Sequence, residues 1–356
     1  MKKIYQALLL GSVLLTTQCK KSEQPALTNA KLAVTRASMI DTARPAPLSV
    51  ITIAGSYNVQ GNADGTGADA RFNYPHGIDI ADDGTLYVAD LFNNAVRKLT
   101  PGGVVTTVNI PTAKDGQKLV YPEKVLLSKD GSLNILAYYD LTPKEQHKFW
   151  ILKPSGELIT PASQVNYYTY IYYNIAKDPY SDYLQTCGER FVTGAENHRQ
   201  GFTESTEIAN GVIGKHPFTP PLDSLNTSSR EYAAVTNVFC GYNGVKYIVI
   251  RHKYVYKLTK SGVFTRIFRD INFHEIIDFI ANKDSRTIYI VDQGAIVSIS
   301  NNKLTRLVGL SSSSTFSHPD GVGDKAYVLA DGIALSKDEN TIYFTDNNTI
   351  RKLILK

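Results

Sequence analysis

The feature that most constrains this chain is a stretch that returns late: residues 83–99 read DGTLYVADLFNNAVRKL and residues 339–353 read ENTIYFTDNNTIRKL. Two copies of one strand-turn-strand unit signal a repeat fold, so the fullest copy interprets the rest. That copy holds four β-rich runs, 77–81, 85–90, 95–100 and 104–109, separated by DDG, LFNN and PGG, which are turn segments. Leu86, Val88, Val96 and Leu99 interleave with Tyr87, Asp90, Arg97 and Lys98. A period of two buries one face of each strand. Four such strands cannot close a core alone, whereas a ring of similar sheets can.

Weaker copies cover residues 124–163, 236–268 and 276–309, and the last copy, 332–356, stops one strand short. The missing strand lies at the other end, where residues 48–54 read LSVITIA. Pairing it with the last copy leaves no sheet edge open at the seam. Between 164 and 230 the spacing asks for one more unit, with strands at 170–176 and 183–187 and an insertion over about 194–230 projecting from the ring. The expectation is six units over 47–356.

Residues 54–108 resemble an NHL repeat of bacterial type, combining the ADGTG linker, the Pro-His-Gly turn, the YVAD strand and the VRK strand in order. The final copy resembles it too, through PDGVGDKAYVLADGI at 319–333, and the middle copies match in pattern only. The resemblance implies an all-β, six-bladed β-propeller of NHL type whose N-terminal strand closes the last blade.

The N-terminus bears on compartment. Lys2 and Lys3 precede an apolar run from Ile4 to Leu15, an export signal over 1–18 that is too short to span a bilayer. Cys19 resembles the lipidated Cys of a bacterial lipobox, although Gln18 and Thr16 depart from its usual residues. The other reading is a secreted protein cut nearby. Residues 19–46 lack strand patterning and read as a flexible tether. These features predict a protein lipid-anchored to the cell envelope, at the outer membrane. The net charge of +5 includes Lys2 and Lys3, and so weak a bias in an exported chain argues against nucleic acid. Outside the cytoplasm Cys187 and Cys240 are either a disulfide or two buried thiols.

Alignment of the blades on their innermost strands places His76, Glu123 and Asp331 at equivalent positions at one channel mouth, with Glu275 near the same point of blade five. Converging His and carboxylate groups are a candidate site for a divalent cation, calcium, magnesium or zinc. Six-bladed propellers that this chain resembles include metal-dependent lactonases and lyases, so the resemblance implies that chemistry as the alternative function. The scaffold reading is that His76 belongs to a turn shared by NHL blades. Asp90, Asp292 and Asp346 recur at the end of second strands, which suits a turn cap. In the run NYYTYIYYN, Tyr168, Tyr170 and Tyr172 share one strand face, as a platform for a sugar or as filling between blades. No nucleophile elbow, zinc-protease motif or phosphate loop is present. The function expected is a binding or scaffolding module for an envelope protein or glycan.

Overall fold

The computed structural model describes residues 45–141, 144–160, 170–180, 183–191, 199–207, 212–221, 234–309 and 318–356. Within the unit Ala46–Lys356 the strands form six antiparallel sheets, one per blade. Blade one runs outward from the axis through Pro75–Ile80, Leu86–Asp90, Ala95–Leu99 and Val104–Thr107. The inner strands of blades two to six are Pro122–Leu127, Tyr170–Lys177, Val235–Cys240, Ile276–Ala281 and Ala330–Leu335.

Closure occurs as the sequence predicts. Ser49–Gly55 pairs antiparallel with Thr349–Ile354, Val50 opposite Leu353 and Gly55 opposite Thr349, and so becomes the fourth strand of blade six. Asp320 holds it further, accepting hydrogen bonds from the Thr52 amide and hydroxyl, both at 2.8 Å. The two linker copies each add a short fifth strand outside a blade, Gly65–Thr66 on blade one and Gly321–Val322 on blade six.

Alternation makes each sheet apolar on faces that meet its neighbours, and apolar clusters among the described residues join the blades in turn. Ile78 and Val88 of blade one pack with Ala334 and Ile350 of blade six. Val291 and Ile296 of blade five pack with Ile333 and Phe344 of blade six. Leu136 and Phe149 of blade two meet Tyr172 and Phe202 of blade three. A twisted sheet that finds a like neighbour on both faces has no unburied apolar side, which is why the ring suits this repeat.

Blade three corrects the expected insertion. Arg199–Glu207 and Val212–Phe218, inside the segment assigned to a projecting loop, are its third and fourth strands. They lack a legible apolar alternation because polar residues, Thr203 and Glu204, occupy buried positions of the third strand beside Phe202. Residues 222–233 lie outside the described residues, as do Cys19 and the segments 1–18 and 19–44.

The cysteines are both free and buried, so the thiol alternative holds and the disulfide does not. Cys187 packs with Ala176, Val235 and Val238 between blades three and four. Burial pushes its thiol far up, and pushes that of Cys240 up to about 12, which leaves both as inert apolar groups.

Candidate functional site

Two strand pairs decide the shape of one mouth of the ring. In blade two Leu133–Leu141 and Lys144–Leu152, and in blade three Tyr183–Phe191 and Arg199–Glu207, have 9 residues each, against 5 or 6 for the corresponding strands of the other blades. The inner strand of blade two begins at Pro122, opposite Ala137, so residues 138–141 and 144–147 stand beyond it on the face where inner strands begin.

That face carries His76, Glu123 and Asp331. Each follows the first residue of its inner strand, at a bulge where the ladder skips: between Pro75 and Ile78, Pro122 and Lys124, Ala330 and Ile333. The bulge turns side chains out of the pleat toward the mouth. Gly77 and Gly332 let the inner strands approach there, since a Cβ on Gly77 would sit 2.5 Å from the Glu123 carbonyl oxygen and one on Gly332 2.4 Å from that of His76. Thr345 donates to the His76 carbonyl at 2.6 Å and accepts from the Gly332 amide at 2.9 Å, while His76 Nδ1 lies 3.1 Å from the Glu123 carbonyl oxygen. Blades six, one and two are thus tied along the rim.

Glu275 does not belong to this set. The ladder of blade five skips between Ile276 and Asp278, which makes Ile277 the equivalent residue, and Glu275 stays exposed before the strand with its amide on Asp292. The misplacement follows from the bulge, which sets Ile277 rather than Glu275 at the mouth. Blade three shows the same effect. Its ladder skips between Tyr172 and Asn174, so Tyr173 takes the mouth position and Tyr172 is turned inward. Tyr172 is 4% exposed, packs edge-on against Phe149 and Phe202 and donates to Glu204 at 2.8 Å. It fills the space between blades and is no platform. Tyr170 opens the same inner strand, and Tyr168 lies outside the described residues.

An aromatic surface does exist, but on blades one and two. Tyr74, Phe92 and Tyr121 are 41%, 52% and 39% exposed. Their rings run in series, Tyr74 to Phe92 at 5.6 Å, Phe92 to Tyr121 at 6.3 Å, Tyr121 to Tyr138 at 6.4 Å and Tyr138 to His147 at 5.5 Å. Tyr74 and Tyr121 have φ of +57° and +43°, a conformation that costs a bulky residue about 1–3 kcal/mol. The neighbouring blade pins each: Asn348 accepts from the Tyr74 amide at 3.0 Å and Asn94 from the Tyr121 amide at 2.8 Å. The Asn-Asn turns therefore reach across to hold the next blade's tyrosine. The signal in the sequence was the paired Tyr-Pro-His at 74–76 and Tyr-Pro-Glu at 121–123.

The series ends on a histidine–carboxylate pair. His147 Nε2 lies 2.9 Å from a Glu123 carboxylate oxygen, and its Nδ1 is buried with no partner. Burial raises the Glu123 carboxyl, but the His147 hydrogen bond and charge, with His76 and Lys124, outweigh it and hold the group below its ordinary value. Asp331 goes the other way: burial and Asp346 raise it more than His76 and Lys124 lower it. One carboxylate is held ionised and the other is biased toward its protonated, donating form. Among the described residues no three His, Cys, Asp or Glu side chains converge as a metal site, so the donor set does not fit the expected cation.

These opposite shifts have opposite consequences for stability. Asp331, raised, stabilises below the unfolded value of about 3.8 and loses that contribution as pH rises through its folded value. Asp331→Asn is therefore expected to melt higher than the parent at pH 8, with the gap closing toward pH 4. Glu123, lowered, stabilises above about 4.5 and loses that as pH falls, so Glu123→Gln is expected to melt lower at pH 8, again with a closing gap. Melting followed by circular dichroism across pH 4–8 reads both.

Residues 72–98, which hold His76, Phe92, Asn94 and Arg97, match the family model of the NHL repeat. The chain carries an NHL repeat. A curated relative, Protein SUPPRESSOR OF QUENCHING 1, chloroplastic, from Arabidopsis thaliana, is 30% identical over 111 residues, covering 27% of this chain and 10% of that protein. The chain thus spans about a tenth of the length of that relative. Among solved structures, an auxiliary nutrient binding protein from Bacteroides ovatus is 12% identical, with 86% of this chain and 76% of that one covered and a TM-score of 0.62. A streptogramin B lyase is 14% identical, with 88% and 100% covered and a TM-score of 0.53. At these identities the likeness is one of fold, that of a six-bladed β-propeller.

Proposed function

We propose that this NHL propeller is a binding module, lipid-anchored at the cell envelope through Cys19, that takes a protein or glycan partner on the face where its inner strands begin. The observation that carries this reading is the exposed series Tyr74, Phe92 and Tyr121, its two tyrosines held in strained backbone, ending on the Glu123–His147 pair. Flat rings at low entropic cost beside an ionised carboxylate and a hydrogen-bonding histidine suit stacking with directional polar contacts. The fold likeness to an auxiliary nutrient binding protein supports a binding role. The alternative, a metal-dependent lyase or lactonase at this mouth, lacks three converging donors among the described residues.

The double variant Phe92→Ala/Tyr121→Ala tests the reading, because both rings are exposed and their loss costs little stability. On an oligosaccharide array and in cross-linking to envelope proteins, the parent is expected to bind in one of the two, and the variant about ten- to a hundredfold more weakly, as two stacking contacts of about 1 kcal/mol or more each predict. Equal binding by parent and variant, or none by the parent, overturns it. The anchor is tested by Cys19→Ser, which is expected to move the protein from the membrane fraction to the soluble fraction. Retention of that variant with the membranes rejects lipidation.

A further inference from the structure

The opposite half of the axis holds a separate feature, a cavity of about 430 Å³ walled by all six inner strands and opening where those strands end. Its apolar wall includes Ile78, Val125, Ile175, Phe279 and Ile333. Two ion pairs across it join distant blades, one near its inner end and one at its opening. Lys124 of blade two reaches Asp278 of blade five at 3.1 Å, and Lys177 of blade three pairs with Asp79 of blade one. Asp278 also accepts from the Ile333 amide, and Asp79 from that of Leu127.

Two groups on this wall have capacity to spare. Asn174 is 3% exposed, and its carboxamide makes no hydrogen bond among the described residues. Lys124, 7% exposed, meets only Asp278, although an ammonium carries three N–H donors. The two are near one another, since Lys124 acts electrostatically on Cys187, the residue paired with Asn174 across the sheet. A buried carboxamide without a partner costs about 1–3 kcal/mol unless something in the cavity satisfies it.

We propose that this cavity is a second ligand site, taking a small, net-neutral organic amide with an apolar body. The charges of Lys124 and Asp278 at its inner end already cancel, so a ligand with net charge would bring an uncompensated charge into the interior. An amide costs no such penalty. Its oxygen accepts from Lys124 and from the Asn174 NH₂, its N–H donates to the Asn174 oxygen, and its body lies on the isoleucine and phenylalanine wall. The volume is that of a small-molecule pocket.

Three probes of one shape separate the possibilities: 3-phenylpropanamide, 3-phenylpropanoate and 3-phenylpropylammonium, titrated calorimetrically into the full chain. The amide is expected to bind about tenfold or more tighter than either ion and to raise the melting temperature in proportion to its occupancy. Asn174→Leu is expected to fold as the parent does, having broken no hydrogen bond, and to lose about tenfold of the amide's affinity; Asn174→Ala serves in its place should Leu prove too large. Phe92→Ala/Tyr121→Ala, on the other face, is expected to leave amide binding unchanged, so this result stands apart from the fate of the first site. Binding of an ion as tight as that of the amide, binding by no probe, or undiminished binding by the Asn174 variants overturns the proposal.

Discussion

A chain that begins at Ser56 is expected to lose its cooperative melting transition, while one that begins at Ala46 melts as the full chain does. The difference between them is Ser49–Gly55, whose Val50 and Ala54 are each 1% exposed and belong to apolar clusters that join blade six to blades five and one. Burying a side chain of the valine class is worth about 1.5–3 kcal/mol, and the strand also contributes its ladder to Thr349–Ile354. Its removal exposes an open edge and uncovers two inter-blade cores at once. The loss is comparable with the whole stability of a domain, about 5–15 kcal/mol. Calorimetry of the two chains reads the result, and equal transitions would reject the closed ring.

Arg351→Met is expected to destabilise by about 3–5 kcal/mol, the cost of leaving a buried carboxylate without its cation. Arg351 is 1% exposed and pairs with Asp346 at 2.6 Å and Asp320 at 2.9 Å, donating also to the carbonyls of Tyr327 and Pro319. Asp346 is wholly buried and is shared with His318. Because Asp320 also holds Thr52, the variant loosens the closing strand as well as the blade. Arg97 repeats the arrangement in blade one, with Asp90 at 2.9 Å and Asp64 at 2.8 Å. Arg97→Met is thus expected to cost a similar amount without touching the seam. Replacement by Lys is expected to recover little, since a point ammonium cannot serve two carboxylates and two carbonyls as a planar fork does. Denaturant midpoints at constant slope measure all three.

Those two arginines show how far the sequence could be read. The period of two predicted Leu86, Val88, Val96 and Leu99 as buried, and they are. It placed Asp90 and Arg97 among the polar partners, and both are fully buried because the linker carrying Asp64 folds back over them. The turn-cap reading of Asp90 gives way: it caps no amide of the following turn, accepting instead from the Asn73 amide and the Asn93 side chain, and its larger role is to face Arg97. Polarity marked these residues, and a contact with a linker 26–34 residues earlier decided their burial.

The equivalence of His76, Glu123 and Asp331 was legible because each stands near the start of an inner strand that leads into a short hairpin with clear strand patterning. Glu275 and the tyrosine run were misplaced because a single-residue bulge inverts which side chain faces the mouth, and bulges leave no mark in composition. The aromatic series on blades one and two was overlooked for a different reason. Its members come from two blades and two kinds of loop, and nothing in one linear segment announces that Tyr74, Phe92 and Tyr121 meet.

The pairing of Val50 with Leu353 sets the propeller's first and last strands side by side on one sheet. A short peptide joining Ile354 to Ser49 would turn the propeller into an endless band, and new ends could then be cut in any inter-blade turn while every strand kept its partners. The geometry of the six sheets is accordingly indifferent to which seam between strands carries the break.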